Sequence, residues 1–219
     1  MTAGGVAIAV LAKAPRPGFV KTRLSPPFSP EQAASMARAA LLDTLRAVLA
    51  ARAPRRALVL SGEPGPWTPH GFDVIPQRGT GLDERIAAAF EDVGGPALLI
   101  GMDTPQVTPG LLDACIGRLQ ESGVQAVVGL AEDGGFWAVG LRRPDPGAFV
   151  GVPMSTARTG TLQERRLLDL GLRVARLPTL RDVDEADDAR AVAALAPSGL
   201  FAASVRDATR ARPAASLRR

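Results

Sequence analysis

Short, continuous apolar runs recur along the chain at residues 6–12, 57–60, 97–100 and 126–130, each followed by Gly, Pro or acidic residues and then by a helical pattern. Runs of this length without polar alternation predict strands buried on both faces, the mark of a parallel sheet. Shorter strands are expected at 72–75, 136–139 and 173–177. The intervening helices are expected from Ser29 to about residue 53, from Thr80 onward, and over 108–122, 161–170 and 185–195. Ser29 and Thr108 each precede a proline, a cap followed by proline at the first helical position. Asp83 stands three residues after Thr80 in the manner of a capping box. The reading is one α/β domain over residues 1–203, a mostly parallel sheet covered by helices on both faces. Ligands of such sheets bind beyond the carboxyl ends of the strands.

The unusual polar residues fall at those ends. The chain holds 24 arginines and two lysines, and both lysines lie in Leu11-Ala-Lys13-Ala-Pro-Arg16-Pro-Gly18-Phe-Val-Lys21-Thr22-Arg23-Leu24, directly after the first strand. Lysine is a compact, flexible point charge and arginine a rigid fork, so a loop that keeps lysine twice in an arginine-biased chain asks for the ammonium. A cationic Gly/Pro loop after a strand suits phosphate. Neither a dinucleotide-binding Gly-x-Gly-x-x-Gly nor a Gly-x-x-x-x-Gly-Lys-Ser/Thr loop is present, which sets aside those two classes of phosphate site.

Asp103 ends the central strand in Gly101-Met-Asp103-Thr104-Pro105, where it either caps the turn or holds Mg²⁺ against phosphate oxygens. Asp182-Val-Asp184 puts two carboxylates on one side of an extended segment, with Val183 toward the core; Asp184 could equally start the last helix. Asp133, in Glu132-Asp133-Gly134-Gly135-Phe136-Trp137, is either a hairpin residue or the group that binds or deprotonates an acceptor hydroxyl. Gln77-Arg-Gly79-Thr-Gly81 precedes a helix N-terminus and offers amides to a base, sugar or phosphate. The single cysteine, Cys115, sits in an apolar helical pattern and reads as core; the single histidine, His70, reads as a loop residue.

Taken in order, Lys13-Ala-Pro-x-Pro-Gly-x-x-Lys21-Thr-Arg-Leu24, Gln77…Gly81-Leu-x-Glu-Arg-Ile-x-x-Ala-Phe90, Gly101-x-Asp-Thr-Pro105, Asp133-Gly-Gly135, Ser155-Thr156 and Asp182-Val-Asp184 resemble the DUF2064 family of the GT-A nucleotide-diphospho-sugar transferase superfamily. The loop and the Asp-x-Asp ending also resemble phospholactate and phosphoenolpyruvate guanylyltransferases. The resemblance implies a GT-A α/β/α sandwich, phosphate binding by Lys21 and Arg23, and a metal on Asp103, Asp182 and Asp184. From position at the strand ends, the nucleotide site is expected to include Lys13, Gly18, Gln77, Gly81 and Thr104 as well, with Lys21, Arg23 and Asp133 as the catalytic set.

Three functions follow from this reading. The first is Mg²⁺-dependent (Mn²⁺ as alternative) nucleotidyl transfer from an NTP to a small phosphorylated or carboxylated acceptor. The second is glycosyl transfer from a nucleotide-diphospho-sugar. The third is nucleotide binding without catalysis. No apolar run approaches the length that spans a bilayer, and no leader pattern precedes the first strand, so a cytoplasmic protein without a membrane partner is expected, as monomer or homodimer. Residues 204–219 hold five arginines and one aspartate, while residues 1–203 balance 21 cations with 21 anions. The high pI therefore comes from the end of the chain and does not predict a nucleic-acid surface. That basic stretch is expected to be a disordered, solvated tail.

Overall fold

The computed structural model describes residues 5–211. Its strands are β1 (Ala7–Lys13), β2 (Arg56–Ser61), β3 (Asp73–Pro76), β4 (Ala97–Gly101), β5 (Ala126–Leu130), β6 (Phe136–Leu141) and β7 (Val174–Arg176). The helices are α1 (Pro30–Ala50), α2 (Leu82–Val93), α3 (Pro109–Gln120), α4 (Thr159–Asp169), α5 (Ala186–Leu195) and α6 (Leu200–Arg210). The seven strands form one sheet in the order β3-β2-β1-β4-β6-β5-β7. β1 pairs in parallel with β2 and β4, and β5 in parallel with β7; β6 runs antiparallel to both neighbours. The loops after β1, β3, β4, β5 and β7 consequently emerge at one edge, and these loops carry the cations and carboxylates singled out in the sequence.

Successive strand residues face opposite sides, and each side has its own core. Ile8, Val10, Leu58, Leu98 and Ile100 pack under α1 and α3, where Cys115 is buried. Ala9, Val59, Leu99 and Val139 pack under α2 and α4 with Ile86, Phe90 and Leu167. Burial lifts the Cys115 thiol to about 11, so it is a small apolar filler. The caps of α1 and α3 form as expected: Ser29 Oγ accepts from Gln32 N at 3.2 Å and Thr108 Oγ1 from Leu111 N at 3.2 Å. The start of α2 differs. Gly81 is its N-cap, and Thr80 donates through its backbone N and its hydroxyl to Glu84 Oε2, both at 2.7 Å. A glutamate one turn on outcompetes Asp83, whose own carboxylate accepts from Gly151 N at 2.9 Å.

The expectation of a tail from Ser204 is corrected. Residues 204–210 belong to α6, in which Phe201, Ala202, Val205 and Ala208 are buried. Phe201, Val205 and Ala208 join Met36 and Ala40 of α1 and Val192 of α5 in a third apolar cluster. Asp43, from the middle of α1, caps α6 by accepting from Leu200 N at 3.1 Å and Phe201 N at 2.8 Å. The charge count obscured an amphipathic helix whose arginines face water while its alanines and valine face α1. The remainder of the proposed tail, 212–219, lies outside the described residues.

Phe201→Ala should therefore cost about 3–5 kcal/mol of unfolding free energy, measured by urea denaturation. Ending the chain before Ser204 should lower the melting temperature by several degrees, because it strips Val205 and Ala208 from the cluster.

Candidate active site

The loop after β1 begins with a tight turn in which Phe19 N donates to Arg16 O at 3.1 Å and Gly18 sits at φ 78°. Lys21 follows at φ 50° and ψ 39°, left-handed for a residue with a Cβ. Such strain persists only where surrounding contacts hold it. Here Lys21 Nζ lies 2.7 Å from Asp103 Oδ1 and 3.3 Å from Asp184 Oδ1, and donates to the Val183 carbonyl. Three acceptors exhaust its three N–H directions. Its side chain is 9 % exposed. Burial is the largest influence on the ammonium and acts to lower its pKa, but Asp103 and Asp184 together outweigh it and leave the value above normal.

The carboxylates come from two further loops. Val183 is buried and its N–H donates to Asp103 O at 2.9 Å, which pins the extended segment so that Asp182 and Asp184 both turn outward as expected. Asp188 accepts from Asp184 N at 3.3 Å and Glu185 N at 2.9 Å. The cap of α5 thus falls to Glu185 and Asp188, and Asp184 is left to the site. Asp133 lies on the β5–β6 turn, its Oδ1 accepting from Gly135 N at 2.7 Å.

Asp133, Asp182 and Asp184 offer oxygens within 4.8 Å of one another. The trio expected from sequence was Asp103, Asp182 and Asp184; Asp103 lines the same cavity with its Oδ1 2.7 Å from Lys21 Nζ, and the carboxylates that approach one another are Asp133, Asp182 and Asp184. Burial, then the charges of Asp133 and Asp184, push Asp182 up to about 6. Three crowded carboxylates are a donor set that fits a hard divalent cation such as Mg²⁺ or Mn²⁺.

The turn carrying Asp133 is set by glycine. Gly134 sits at φ +91°, and a Cβ there would lie 2.0 Å from Ala157 O; a Cβ on Gly160 would lie 2.2 Å from Gly135 O. Gly160 N donates to Gly134 O at 2.8 Å, so the turn docks on the first residues of α4. Trp137, 3 % exposed, donates through Nε1 to Pro178 O at 2.9 Å and faces the opposite side of the sheet from Phe136.

These loops surround a cavity of about 770 Å³. Lys13 and Arg23 line it, the latter 69 % exposed and 3.2 Å from Asp184 Oδ2. Gln77 lines it as well, its Nε2 donating to Ala12 O at 2.8 Å and Val59 O at 3.0 Å, and its Oε1 has no hydrogen-bond partner among the described residues. Gly18, Gly81 and Thr104 do not line it: the first serves the turn, the second caps α2, and Thr104 is 1 % exposed. Arg85 and Met154 do line it, and sequence reasoning gave neither a role. The signal for Arg85 was its place one turn into the helix after Gly81.

The sheet belongs to a fold shared with solved structures of transferases. A structure from Desulfovibrio desulfuricans G20, provisionally named a nucleotide-diphospho-sugar transferase, superposes with a TM-score of 0.83 at 24 % identity, covering 94 % of this chain and 95 % of the other. Rv0371c of Mycobacterium tuberculosis in complex with manganese gives 0.53 at 23 % identity, over 87 % and 98 %. A CMP:2-keto-3-deoxy-manno-octonic acid synthetase complexed with CTP gives 0.56 at 12 % identity, over 88 % and 98 %. No curated protein matches by sequence. Residues 35–156 match the family described as "Uncharacterized protein conserved in bacteria (DUF2064)", and the chain belongs to that family.

Two outcomes test the electrostatics. Asp182 has a folded pKa of about 6 against an ordinary 3.8, so in the absence of cations its contribution to stability is present below pH 3.8 and lost as pH rises through 6. Asp182→Asn should therefore melt higher than wild type in EDTA at pH 7.5, with the difference shrinking toward pH 4. Lys21→Met should cost about 3 kcal/mol in chemical denaturation, at the low end for a broken buried pair because Asp103 and Asp184 keep some solvent.

Proposed function

We propose that the protein is a divalent-metal-dependent transferase that binds a nucleoside triphosphate at the sheet edge and moves the nucleotidyl group to a small phosphorylated or carboxylated acceptor. The observation that carries this reading is the meeting of three carboxylates with Lys13, Lys21 and Arg23 in one cavity. Asp133, Asp182 and Asp184 would hold Mg²⁺ or Mn²⁺, which when bound supplies charge neutralisation for phosphate oxygens.

The chain's own residues do the rest. Lys13 and Arg23 are exposed enough to meet the phosphates as they enter. Lys21 holds Asp103 and Asp184 in place, and so orients the acidic wall before any ligand arrives. Gln77 presents a fixed acceptor oxygen to the base or ribose. An acceptor oxygen attacks the α-phosphorus, the bond from that phosphorus to the bridging oxygen breaks, and pyrophosphate leaves with the electron pair. Positioning and fixed charge would supply most of the rate. The likeness in fold to a synthetase bound to CTP, and to a structure holding manganese, supports this reading.

Glycosyl transfer from a nucleotide-diphospho-sugar is the second reading, favoured by the name given to the Desulfovibrio structure. It would use the same carboxylates, with Asp133 beside the acceptor hydroxyl.

Calorimetric titration with the common NTPs and nucleotide-diphospho-sugars, with and without Mg²⁺, tests the proposal. NTP binding should tighten at least tenfold with Mg²⁺, and Asp133→Asn should remove that gain while leaving the melting temperature within a degree or two, since asparagine keeps the acceptor for Gly135 N. Release of pyrophosphate would follow on addition of the right acceptor. Binding and turnover of a nucleotide-sugar alone would favour the second reading, and Mg²⁺-independent binding would remove the metal from both.

A further inference from the structure

Lys13, Lys21, Arg23 and Arg85 are the lysines and arginines that line the cavity among the described residues, and they are not equivalent. Lys21 and Arg23 are paired with carboxylates. Arg85 is half-buried, forms no ion pair among the described residues, and uses one nitrogen: Nε donates to Gly79 O at 3.2 Å. That carbonyl is held by a backbone only glycine tolerates, since Gly79 has φ +102° and a Cβ would meet Glu84 Cβ at 2.7 Å. The guanidinium is therefore held by its Nε edge, and its two terminal nitrogens have no partner among the described residues. A planar fork with both ends free matches the paired oxygens of a carboxylate or phosphate.

The surroundings of Arg85 differ from those of the acidic trio. Leu82, one turn before Arg85, and Ile86, one turn after Leu82, line the cavity with it. Leu99, Phe136 and Met154 line the cavity too and belong, with Ile86, to the apolar cluster on the α2 side of the sheet. A ligand body resting on these five side chains finds apolar contact and no hydrogen-bond partner among them, which penalises a hydroxyl-rich body.

We propose that Arg85 anchors the second substrate, a small molecule that joins an apolar body to a terminal oxyanion. The assignment rests on the nucleotide reading above, in which Lys13, Arg23 and the acidic trio take the donor; it narrows the acceptor from any phosphorylated or carboxylated molecule to an amphipathic one, and gives the residue that selects it.

Calorimetric titration of the full chain with phenyl phosphate, benzoate and inorganic phosphate tests this, alongside a separate titration with Mg²⁺ and each common NTP. Phenyl phosphate or benzoate should bind at least ~10-fold more tightly than inorganic phosphate, and the tighter of the two shows whether the natural anion is a phosphate ester or a carboxylate. Arg85→Gln should weaken both aryl anions roughly 10- to 100-fold, the size expected for losing a charge-assisted pair, while Mg²⁺–NTP affinity stays within about twofold. Met154→Gln should erase most of the aryl advantage over inorganic phosphate without touching the arginine. Absence of aryl-anion binding in wild type, or an Arg85→Gln variant that loses NTP affinity and keeps the aryl anions, overturns the proposal. Loss of Mg²⁺–NTP binding in wild type would strike the nucleotide reading by itself, because the aryl-anion titrations need no nucleotide.

Discussion

A parallel strand has two unlike ends, and the parallel pairing of β1 with β2 and β4 commits this chain to one functional edge. Helices α1, α2 and α3 carry the chain back after β1, β3 and β4, and residues 62–72 do so without a helix after β2, so the loops after β1, β3 and β4 gather at the carboxyl ends. The reversal at β6 preserves this arrangement: β5 runs with β4, the turn after it delivers Asp133 to the same edge, and β6 starts there with Phe136. Residues 21, 103, 133 and 184 are far apart in sequence and adjacent in space for this reason alone. A long-range sheet of this kind is costly in loop-closure entropy, and the alternating apolar faces of β1, β4 and β5 offset that cost through two separate cores.

Within that edge, the Lys21 ammonium is the tie that joins three chain segments. It reaches Asp103 after β4 and both Val183 and Asp184 before α5. The loop accepts a left-handed lysine because these contacts hold it there. The same contacts place two carboxylates where a third, Asp133, can approach them. Burial first, and then the charges of Asp133 and Asp184, push Asp182 up to about 6. A lysine that already satisfies two carboxylates organises the acidic wall.

Much of the architecture was legible along the chain because it depends on local signals. The apolar runs marked β1, β2, β4 and β5, proline after Ser29 and Thr108 marked α1 and α3, and the Gly134-Gly135 pair marked a hairpin. The start of α2 was misjudged because Glu84, not Asp83, bonds Thr80, a choice between side chains that pattern alone leaves open. α6 was missed because five arginines near the end of the chain dominated its composition; its fit against α1 depends on Asp43 and Met36, more than 150 residues away.

The sequence by itself determined the fold class, the edge at which the cations and carboxylates gather, and the residue types found there, since hydrophobic period, caps and strand-end composition are all local properties. Only the tertiary structure decided which carboxylates converge. Asp103 and Asp133 both end buried strands and look alike in sequence; packing against Lys21 claims the first, and the glycine-bound turn on α4 swings the second toward Asp182 and Asp184. Partner choice among like side chains is set by distances across the sheet, and no spacing along the chain encodes those.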